Sequence, residues 1–388
     1  MKGVFSYPAI ERVVYGEPVA DGLAAEIARL DARRVFLMAS RSLLRATGGV
    51  TAIAGCLGDR LAAVFSDMSP HTPRDGVLAA AAAARQADAD LVVTVGGGSI
   101  TDAGKMVQLC LRHDIVGLDG FEPFRETTDP GGKTRRPEFA GPDVRQVAVP
   151  TTLSGGEFNS GAGCTDPRSG LKQLYRHPLL VPRVVLLDPA LTLHTPPWLW
   201  MSTGMRAIDH AVEGLCSPDC PPHITIAARG ALQLLAASLR RTRTHPQDLD
   251  ARLAAQIGAW QSLAALQAGV PFGASHAIGH VLGAACGVPH GYTSCVMLPA
   301  VLRFNADVDP ERQAAVSAAL DRPGMSAHQA VAELVAELGL PRTLGEVGVT
   351  HERFALIAEH AMLERWIRSN PRPIADPEAV LALLAMAA

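Results

Sequence analysis

The first 194 residues of the chain alternate short runs of aliphatic and β-branched residues with Ala-rich stretches. Short apolar runs separated by helices of roughly 10–15 residues are typical of parallel strands that are covered on both faces. The expected strands are residues 34–40, 89–95, 146–150 and 183–188, and the clearest helix among them is 76–87. The pattern therefore predicts an α/β domain built on a parallel sheet.

After Thr195 the strand-like runs disappear and helical patterns take their place. The expected helices are residues 204–215, 224–239, 248–267, 327–338 and 351–361. We therefore expect two domains, an α/β domain over residues 1–194 and an all-α domain over residues 195–388. A polar stretch rich in Pro and Gly between Asp119 and Asp143 is expected to be a surface loop.

Composition restricts the class of protein and its partners. The 388 residues are 48% hydrophobic and 19% charged, which is typical of a soluble globular protein, and a net charge of -3 argues against a nucleic-acid partner. No apolar run approaches the roughly 20 residues that a membrane span needs, and the N-terminus lacks the apolar core of a secretory signal. Seven scattered cysteines without a CxxC pair favour a reducing compartment, so we expect a cytoplasmic protein.

A glycine-rich turn joins the expected strand 89–95 to a helix. Successive glycines let the backbone come within hydrogen-bonding distance of a phosphate, and the positive end of the following helix points at the same anion. The turn is neither a P-loop nor the usual GxGxxG, because Met106 follows the lysine and Thr101 replaces the last glycine. It is a candidate diphosphate cradle of a Rossmann-like domain; the alternative is a tight turn with two surface charges. The candidate residues are Gly96, Gly97, Gly98, Ser99, Asp102 and Lys105.

A second turn, rich in hydroxyl groups and glycine, follows the expected strand 146–150. It contains Thr151, Thr152 and Ser154, whose hydroxyl groups suit a second contact with a nucleotide. The alternative is an ordinary capped turn.

Histidines recur at helical spacing in the second domain. Arg206 and His210 lie four residues apart and therefore share one face of a helix. His276 and His280 share a face in the same way, and His290 follows ten residues later in an expected loop. Imidazoles in this arrangement resemble a transition-metal site. The alternative is a set of ordinary core or surface histidines.

In order and spacing, these segments resemble the iron-containing (group III) alcohol dehydrogenase family, and within it the maleylacetate reductase branch. Four further motifs carry the likeness: Val13-Val-Tyr-Gly16, Pro70-His-Thr-Pro73, Pro150-Thr-Thr and Asn370-Pro-Arg372. The resemblance implies a dehydroquinate synthase-like architecture, an active site between the two domains, NADH or NADPH as cofactor, and a homodimer. It also implies that Lys172 lies near the nucleotide, with a solvated loop lysine as the alternative.

The resemblance further implies a metal site made of one Asp and three His. The histidine positions correspond to His210, His276 and His290, with His280 as a nearby histidine that does not bind the metal. The Asp position is occupied by Arg206. A guanidinium cannot ligate a metal and repels a divalent cation, and Asp209 points about 100° away from His210 on a helix. We therefore expect weak binding of Fe or Zn, or none, as in maleylacetate reductases, which are regarded as working without a metal.

One further departure concerns the nucleotide. Family members that prefer NAD often carry an Asp at the end of the second strand, where it binds the ribose hydroxyl groups. Ser40 occupies that place in this chain, and Arg41 follows it. Loss of the anion and gain of a cation predict that NADPH is accepted; an ordinary arginine at a strand end is the alternative.

These expectations define a hydride-transfer reaction on a small molecule. We expect an NAD(P)H-dependent oxidoreductase that reduces an unsaturated or oxo carboxylic acid without an essential metal. Arg206 would stabilise the developing oxyanion or bind the substrate carboxylate, and His280, His276 or His290 would supply a proton. The alternatives are a metal-dependent alcohol or aldehyde dehydrogenase and, more remotely, a sugar-phosphate cyclase or a nucleotide-binding protein without catalysis.

Overall fold

The computed structural model describes residues 4–46, 48–129 and 134–388 of the chain. These residues divide into two compact units. The α/β unit contains residues 6–127 and 134–195, and the helical unit contains residues 196–388 with short segments at 4–5 and 128–129. The division falls after Thr195, one residue from the expected boundary.

The α/β unit contains a sheet of six parallel strands with helices between them. Its strands are β1 (Arg12–Tyr15), β2 (Val35–Ala39), β3 (Leu61–Phe65), β4 (Leu91–Gly96), β5 (Thr127–Thr128), β6 (Thr134–Arg135), β7 (Arg145–Pro150), β8 (Gly161–Thr165), β9 (Lys172–Arg176) and β10 (Val184–Leu187). Its helices are α1 (Val19–Arg29), α2 (Arg41–Ala46), α3 (Gly48–Leu57), α4 (Arg74–Gln86), α5 (Gly98–Arg112) and α6 (Pro189–Thr192). The strand order in the main sheet is β1-β10-β7-β4-β2-β3, and every pairing is parallel.

Both faces of this sheet are buried, as its continuous apolar strands require. Along β2, Val35, Leu37 and Ala39 belong to the core on one face, whereas Phe36 and Met38 belong to the core on the other. The alternation follows from the two-residue period of a strand. The expected α/β fold with a parallel sheet is confirmed.

Two features of this unit differ from the expectation. Strands β8 and β9 form an antiparallel hairpin that the sequence pattern did not indicate, with Gly161 opposite Arg176. The segment between Asp119 and Asp143 is not simply a surface loop, because it contains most of a 3-10 helix, Leu118–Phe124, and Phe121 is fully buried. Apolar packing of that phenylalanine outweighs the polar composition around it. The centre of the segment, residues 130–133, lies outside the described residues.

The second half of the chain is helical, and residues 196–388, all of which are described, contain no strand. Its helices are α7 (Pro197–Cys216), α8 (Pro222–Thr244), α9 (Leu249–Ser262), α10 (Ala264–Gln267), α11 (Ala274–Cys286), α12 (His290–Phe304), α13 (Pro310–Ala319), α14 (Ala327–Glu337), α15 (Phe354–Ala361) and α16 (Pro377–Met386). The expected all-α domain is confirmed, although α7 begins earlier than residue 204 and the expected helix 248–267 is two helices, α9 and α10. Pro197 opens α7 because proline suits the first turn of a helix.

Helix α7 is the central helix of the helical unit. Fifteen of its residues are buried, among them Asp209, His210 and Glu213. Helix α12 approaches it closely at Gly291, where a Cβ would lie 2.5 Å from the Ser202 backbone oxygen. Among the described residues, no helix combines the length and the apolar character that crossing a bilayer requires.

Candidate functional site

The glycine turn begins where β4 ends and packs against the second expected turn. Gly96 has a φ of +155°, and a Cβ at this position would lie 2.9 Å from Ile100 Cγ1. A Cβ on Gly97 would lie 3.0 Å from Thr152 Cγ2, and one on Gly98 would lie 3.1 Å from Ser154 Oγ. The structure therefore brings the two expected nucleotide loops together, and the space between them excludes side chains on the turn.

Helix α5 starts directly at this turn and has no side-chain cap on its N-terminal residue, Gly97. The first N–H groups of a helix have no partner within the helix and carry a partial positive charge. Ser99 lies in the first turn, where its Oγ accepts a hydrogen bond from the His71 N–H (3.2 Å). The Thr72 hydroxyl donates to the Ser99 carbonyl oxygen (3.0 Å). This end of α5 is held in place by these hydrogen bonds and could hold an anion.

Lys105 is placed differently from the expectation of a phosphate contact. Its side chain is fully buried, and its ammonium group donates to the carbonyl oxygens of Gly156 (2.6 Å), Asn159 (2.8 Å) and Gly161 (2.7 Å). Three acceptors use all three hydrogens of the ammonium group. The lysine therefore fixes the backbone that follows the second turn and has no hydrogen left for a cofactor.

Asp102 and Lys172 lie at the β8–β9 hairpin. The Asp102 carboxylate accepts a hydrogen bond from the Gly163 N–H (3.1 Å) and lies 3.9 Å from Lys172 Nζ. The Lys172 side chain packs over Gly163 and keeps 35% of its surface exposed. Asp102 thus anchors the hairpin to α5, whereas Lys172 remains accessible to a ligand.

Gly104 is a functional glycine that the motif comparison missed. A Cβ there would lie 2.5 Å from Thr94 Cγ2 and 2.7 Å from Gln146 Nε2, both of which belong to the sheet beneath α5. Close helix–sheet packing is the role of the last glycine in GxGxxG. Gly104 performs this role three positions after Thr101, which occupies the expected place.

In the helical unit, three helices bring the predicted histidines together. His210 lies on α7, His276 and His280 on α11, and His290 is the first residue of α12 rather than a loop residue. The ring centroids of His210 and His276 are 5.0 Å apart, and those of His280 and His290 are 6.4 Å apart. The His290 ring packs over Gly283 of α11, where a Cβ would lie 2.9 Å from its Cε1 atom.

Two aromatic residues complete this cluster, and the sequence reading did not include either. The Phe272 ring stacks on His276 (4.2 Å) and on His210 (5.3 Å). The Trp366 ring lies 5.1 Å from His280 and 5.6 Å from His276. These rings pack against the buried imidazoles of His210 and His276, and no sequence signal distinguishes them from ordinary core aromatics.

Arg206 places a cation inside the same cluster. Only 11% of its side chain is exposed, and its Nη1 donates to Ser294 Oγ (3.1 Å) and lies 3.6 Å from the Asp209 carboxylate. Asp209 also accepts hydrogen bonds from the hydroxyl groups of Ser275 (2.9 Å) and Ser294 (2.6 Å). Asp209 is expected to point about 100° away from His210 on the helix, and the structure places its carboxylate 3.5 Å from Nδ1 of a different histidine, His276. Helices α11 and α12 supply contacts on the side of α7 that carries Asp209.

Glu213 fixes the orientation of His276. Its carboxylate accepts backbone hydrogen bonds from Gly273 (3.0 Å) and Ser275 (2.8 Å) and lies 2.7 Å from His276 Nδ1. Burial raises the pKa of Glu213, and the neighbouring Asp209 adds to that effect. This short contact fixes the orientation of the His276 ring.

Electrostatics keep the inner histidines neutral. Burial lowers the pKa of both His210 and His276 well below the ordinary value, and the Arg206 charge lowers it further. Burial also lowers the pKa of Arg206, but Asp209 opposes this shift, and a guanidinium stays protonated in proteins. His210 and His276 are therefore neutral imidazoles beside the buried Arg206 guanidinium, which is paired with Asp209.

His280 has a separate carboxylate partner. Its Nδ1 lies 3.1 Å from Glu364 Oε2, and the two side chains are 36% and 33% exposed. Burial raises the pKa of Glu364, but the hydrogen bond with His280 and the charges of His280 and Arg365 together outweigh that effect, so the pKa is lowered. A histidine oriented by a carboxylate and still accessible is a suitable proton donor.

Comparison with known proteins identifies the family. Residues 10–189 match the family described as Iron-containing alcohol dehydrogenase, and residues 200–388 match the Fe-containing alcohol dehydrogenase family, C-terminal. Dehydrogenase ALT3 of Alternaria alternata is 35% identical over 373 residues, which cover 87% of this chain and 94% of ALT3. The maleylacetate reductase of Rhizobium sp. strain MTP-10005 is 32% identical over 374 residues, which cover 96% of this chain and 94% of the reductase. The crystal structure of maleylacetate reductase from Agrobacterium tumefaciens matches with a TM-score of 0.82 and 30% identity, covering 100% of this chain and 98% of that one.

Fold and relatives together define the class of protein as an NAD(P)-dependent oxidoreductase. The chain belongs to the iron-containing alcohol dehydrogenase family, and maleylacetate reductases are among its relatives. The expected family and the expected enzyme class are confirmed.

Proposed function

We propose that this enzyme uses NADH or NADPH to reduce a small unsaturated or oxo carboxylic acid, and that it needs no metal to do so. The observation that carries the proposal is Arg206, a buried cation held among neutral histidines. The similarity to maleylacetate reductases supports the same substrate class, because their name describes an unsaturated oxo acid.

The α/β unit fits a dinucleotide. Its diphosphate would lie on the backbone of Gly96–Ser99 and the first turn of α5, where a Cβ on Gly97 or Gly98 would fill the space. Thr151, Thr152 and Ser154 offer hydroxyl groups beside that turn, and Lys172 offers an accessible cation. Gly97→Ala should therefore weaken NADH binding by about tenfold or more, whereas Gly230→Ala, with nothing within 4 Å, should not. Equal affinities of the two variants in a fluorescence titration would contradict this site.

The residues of the helical unit do not fit a divalent metal. The Arg206 charge that lowers the pKa of His210 and His276 by repelling a proton would repel a doubly charged ion more strongly. Among the described residues, the one group of three ligand-type atoms within 4.8 Å is Asp209, Glu213 and His276. Their oxygens already accept hydrogen bonds from Ser275, Ser294 and the backbone. This cluster is an internal hydrogen-bonded network.

The reaction needs a charge stabiliser and a proton donor. The bound nicotinamide supplies a hydride to an electrophilic carbon of the substrate. Negative charge then builds up on the substrate oxygen as an enolate or alkoxide, and a positioned cation stabilises it. Both contacts of Arg206 involve Nη1, so its Nε and Nη2 hydrogens can be directed at that oxygen or at a substrate carboxylate. His280, oriented by Glu364, would donate the proton that completes the reduction, with His290 as the alternative donor.

A substrate panel with metal analysis tests this proposal. Purified enzyme should consume NAD(P)H with maleylacetate or with another small oxo acid, and exhaustive chelation should leave the rate unchanged. Propanal, which lacks a carboxylate for Arg206, should be a poor substrate. Loss of activity on chelation, with recovery on adding Fe or Zn, would overturn the metal-independent reaction.

A metal-dependent alcohol or aldehyde dehydrogenase is the second candidate. It is favoured by two buried ring nitrogens, His210 Nδ1 and His276 Nε2, which have no hydrogen-bond partner among the described residues, since imidazole nitrogens can bind Fe or Zn. A metal content of one ion per chain after purification without chelator, together with alcohol oxidation, would establish this function. A metal content near zero in an active enzyme would exclude it.

A further inference from the structure

The carboxyl ends of β2, β3 and β4 lie next to the glycine turn. From β2 the chain continues outward to β3 on one side, and from β4 it continues to β7 on the other. Connections that leave in opposite directions open a crevice between the two strands, and nucleotides bind in such crevices. With a diphosphate on the turn after β4, the adenosine ribose would lie over the end of β2.

The end of β2 lacks an acidic residue of its own. Ser40 follows β2 directly, and its Cβ lies 3.5 Å from the position of a Cβ on Gly96. The neighbouring strand β3 supplies the anion instead. Met38 of β2 lies opposite Phe65 of β3. Ser40 comes two residues after Met38, and Asp67 comes two residues after Phe65, so Asp67 occupies relative to β3 the position that Ser40 occupies relative to β2. The Asp67 carboxylate forms an ion pair with the Arg41 guanidinium.

The Arg41–Asp67 ion pair can distinguish NADPH, which carries a 2′-phosphate on its ribose, from NADH, which does not. The Arg41 and Asp67 side chains are 56% and 73% exposed, so their pairing is weak and a phosphate can compete for the guanidinium. Asp67 nevertheless stays close to the phosphate and repels its negative charge. An unphosphorylated ribose has no such conflict, and its hydroxyl groups can donate to Asp67.

We propose that Asp67, acting through its ion pair with Arg41, sets the preference of this enzyme for NADH over NADPH. The wild type then binds both nucleotides and binds NADPH more weakly. This assignment rests on the proposed function, because it requires the dinucleotide site at the glycine turn. It replaces the simpler expectation that Ser40 and Arg41 alone decide the choice.

Fluorescence titration of NADH and NADPH, which does not depend on the substrate, tests the proposal. Asp67→Asn should raise the affinity for NADPH relative to NADH by about tenfold, because it removes a repelling charge and releases Arg41. Arg41→Ala should lower the same ratio by about tenfold, because NADPH loses its cation. Both effects should shrink as salt concentration rises, since both residues are exposed.

Asp31→Asn is a matched control. Asp31 pairs with Arg33 at 3.3 Å, and their side chains are 82% and 78% exposed. Both residues precede β2 and so lie at its amino end, away from the glycine turn. The substitution removes the same charge and should leave the ratio of the two affinities within about twofold of the wild type. Thermal unfolding of each variant shows that the fold is retained.

The outcomes separate the two proposals. If the wild type binds neither nucleotide, the proposed function fails. If it binds them but Asp67→Asn leaves the ratio unchanged, the role of Asp67 fails and the proposed function stands. In the Arg41→Ala background the Asp67→Asn effect should be clearly smaller than in the wild type, because the direct repulsion of the phosphate remains but no arginine is released. An undiminished effect there would show that Asp67 acts without Arg41 and would overturn the ion-pair mechanism.

Discussion

The glycine turn and the Arg206 cluster are built in opposite ways. The turn is one continuous stretch at the end of β4 that would bind the nucleotide through its backbone, and a Cβ on its glycines would meet neighbouring atoms at 2.9–3.1 Å. The cluster consists of side chains from α7, α11 and α12, which are far apart in the sequence. A site made of backbone is sensitive to added volume, whereas a site made of side chains is sensitive to the loss of charge.

Buried charge also serves different purposes in the two units. In the α/β unit, Lys105 uses its charge to hold three carbonyl oxygens, with Asp102 3.6 Å away. In the helical unit, Arg206 makes its two polar contacts among the described residues through one nitrogen, Nη1. Under the proposed function, buried charge is therefore structural in the α/β unit and catalytic in the helical unit.

The largest expected effect is that of Arg206→Ala. Removing a positioned donor to a developing oxyanion lowers kcat/KM by about 10²–10³-fold. The dissociation constant of NADH should change by less than about threefold, because the glycine turn belongs to the other unit. Arg241→Ala removes an exposed arginine that pairs with Asp248 at 2.7 Å, and it should change neither quantity. If Arg206→Ala weakened NADH binding as much as it slowed turnover, the separation of roles would be wrong.

The next largest expected effect is the pH dependence of stability that Glu157 gives the α/β unit. Burial raises the pKa of Glu157 to about 7, from 4.5, although nearby Lys105 opposes the shift. The folded state thus holds this proton more tightly than the unfolded state. The resulting stabilisation is complete below pH 4.5 and is lost as the pH rises through 7.

Glu157→Gln tests whether Glu157 makes the protein less stable as the pH rises. Between pH 5 and pH 8 the wild type should lose about 2–3 kcal/mol of unfolding free energy through Glu157, and the variant should not. Urea unfolding at the two pH values measures the difference. If the unfolding free energies of the two proteins changed with pH in the same way, Glu157 would be ionised from about pH 5 to pH 8. Its charge would then be stabilised by its surroundings, as that of Lys105 is.

Gly104→Ala should have a smaller effect on stability, and it tests whether the packing of α5 on the sheet is sensitive to added volume. The added methyl group would meet Thr94 Cγ2 at 2.5 Å, and overpacking of this kind costs about 1–3 kcal/mol. This exceeds the roughly 1 kcal/mol that alanine gains over glycine within a helix. The unfolding midpoint should fall by about 2–6 °C. Gly55→Ala in α3, with nothing within 4 Å, should raise it slightly. If the unfolding midpoint rose in both variants, the proposed packing role of Gly104 would be wrong.

The smallest effect is that of Ser294→Ala. The Ser294 hydroxyl accepts from Arg206 and donates to Asp209, so its loss lets the guanidinium move. We expect kcat/KM to fall by about fivefold to tenfold, equivalent to about 1 kcal/mol. The same substitution in the Arg206→Ala background should cause no further loss, since Ser294 acts through Arg206. Ser262→Ala removes a buried hydroxyl that bonds only within its own helix, and it serves as the control. Additive losses would assign Ser294 a role of its own.

Much of the α/β unit could be predicted because its signals are local. An apolar run such as residues 91–96 is a strand buried on both faces, and the glycines after it are required by backbone geometry. Lys105 was misassigned because its charge suggested a ligand, whereas the three carbonyl oxygens that it binds lie about 50 residues further along the chain. Gly104 was missed because the motif comparison required glycine at position 101.

The sequence by itself determined the strand and helix pattern, the glycine turn and the candidate histidines, because each depends on residues close together in the chain. Tertiary structure alone decided how charges pair: Arg41 with Asp67, Arg206 with Asp209 and Ser294, and His280 with Glu364. The contacts of Arg41 with Asp67, of Arg206 with Ser294 and of His280 with Glu364 join distant segments of the chain. The contact of Arg206 with Asp209 lies within α7, on the side that the neighbouring helices cover. Coulomb energy depends on distance and burial in space, and no local sequence pattern records either quantity.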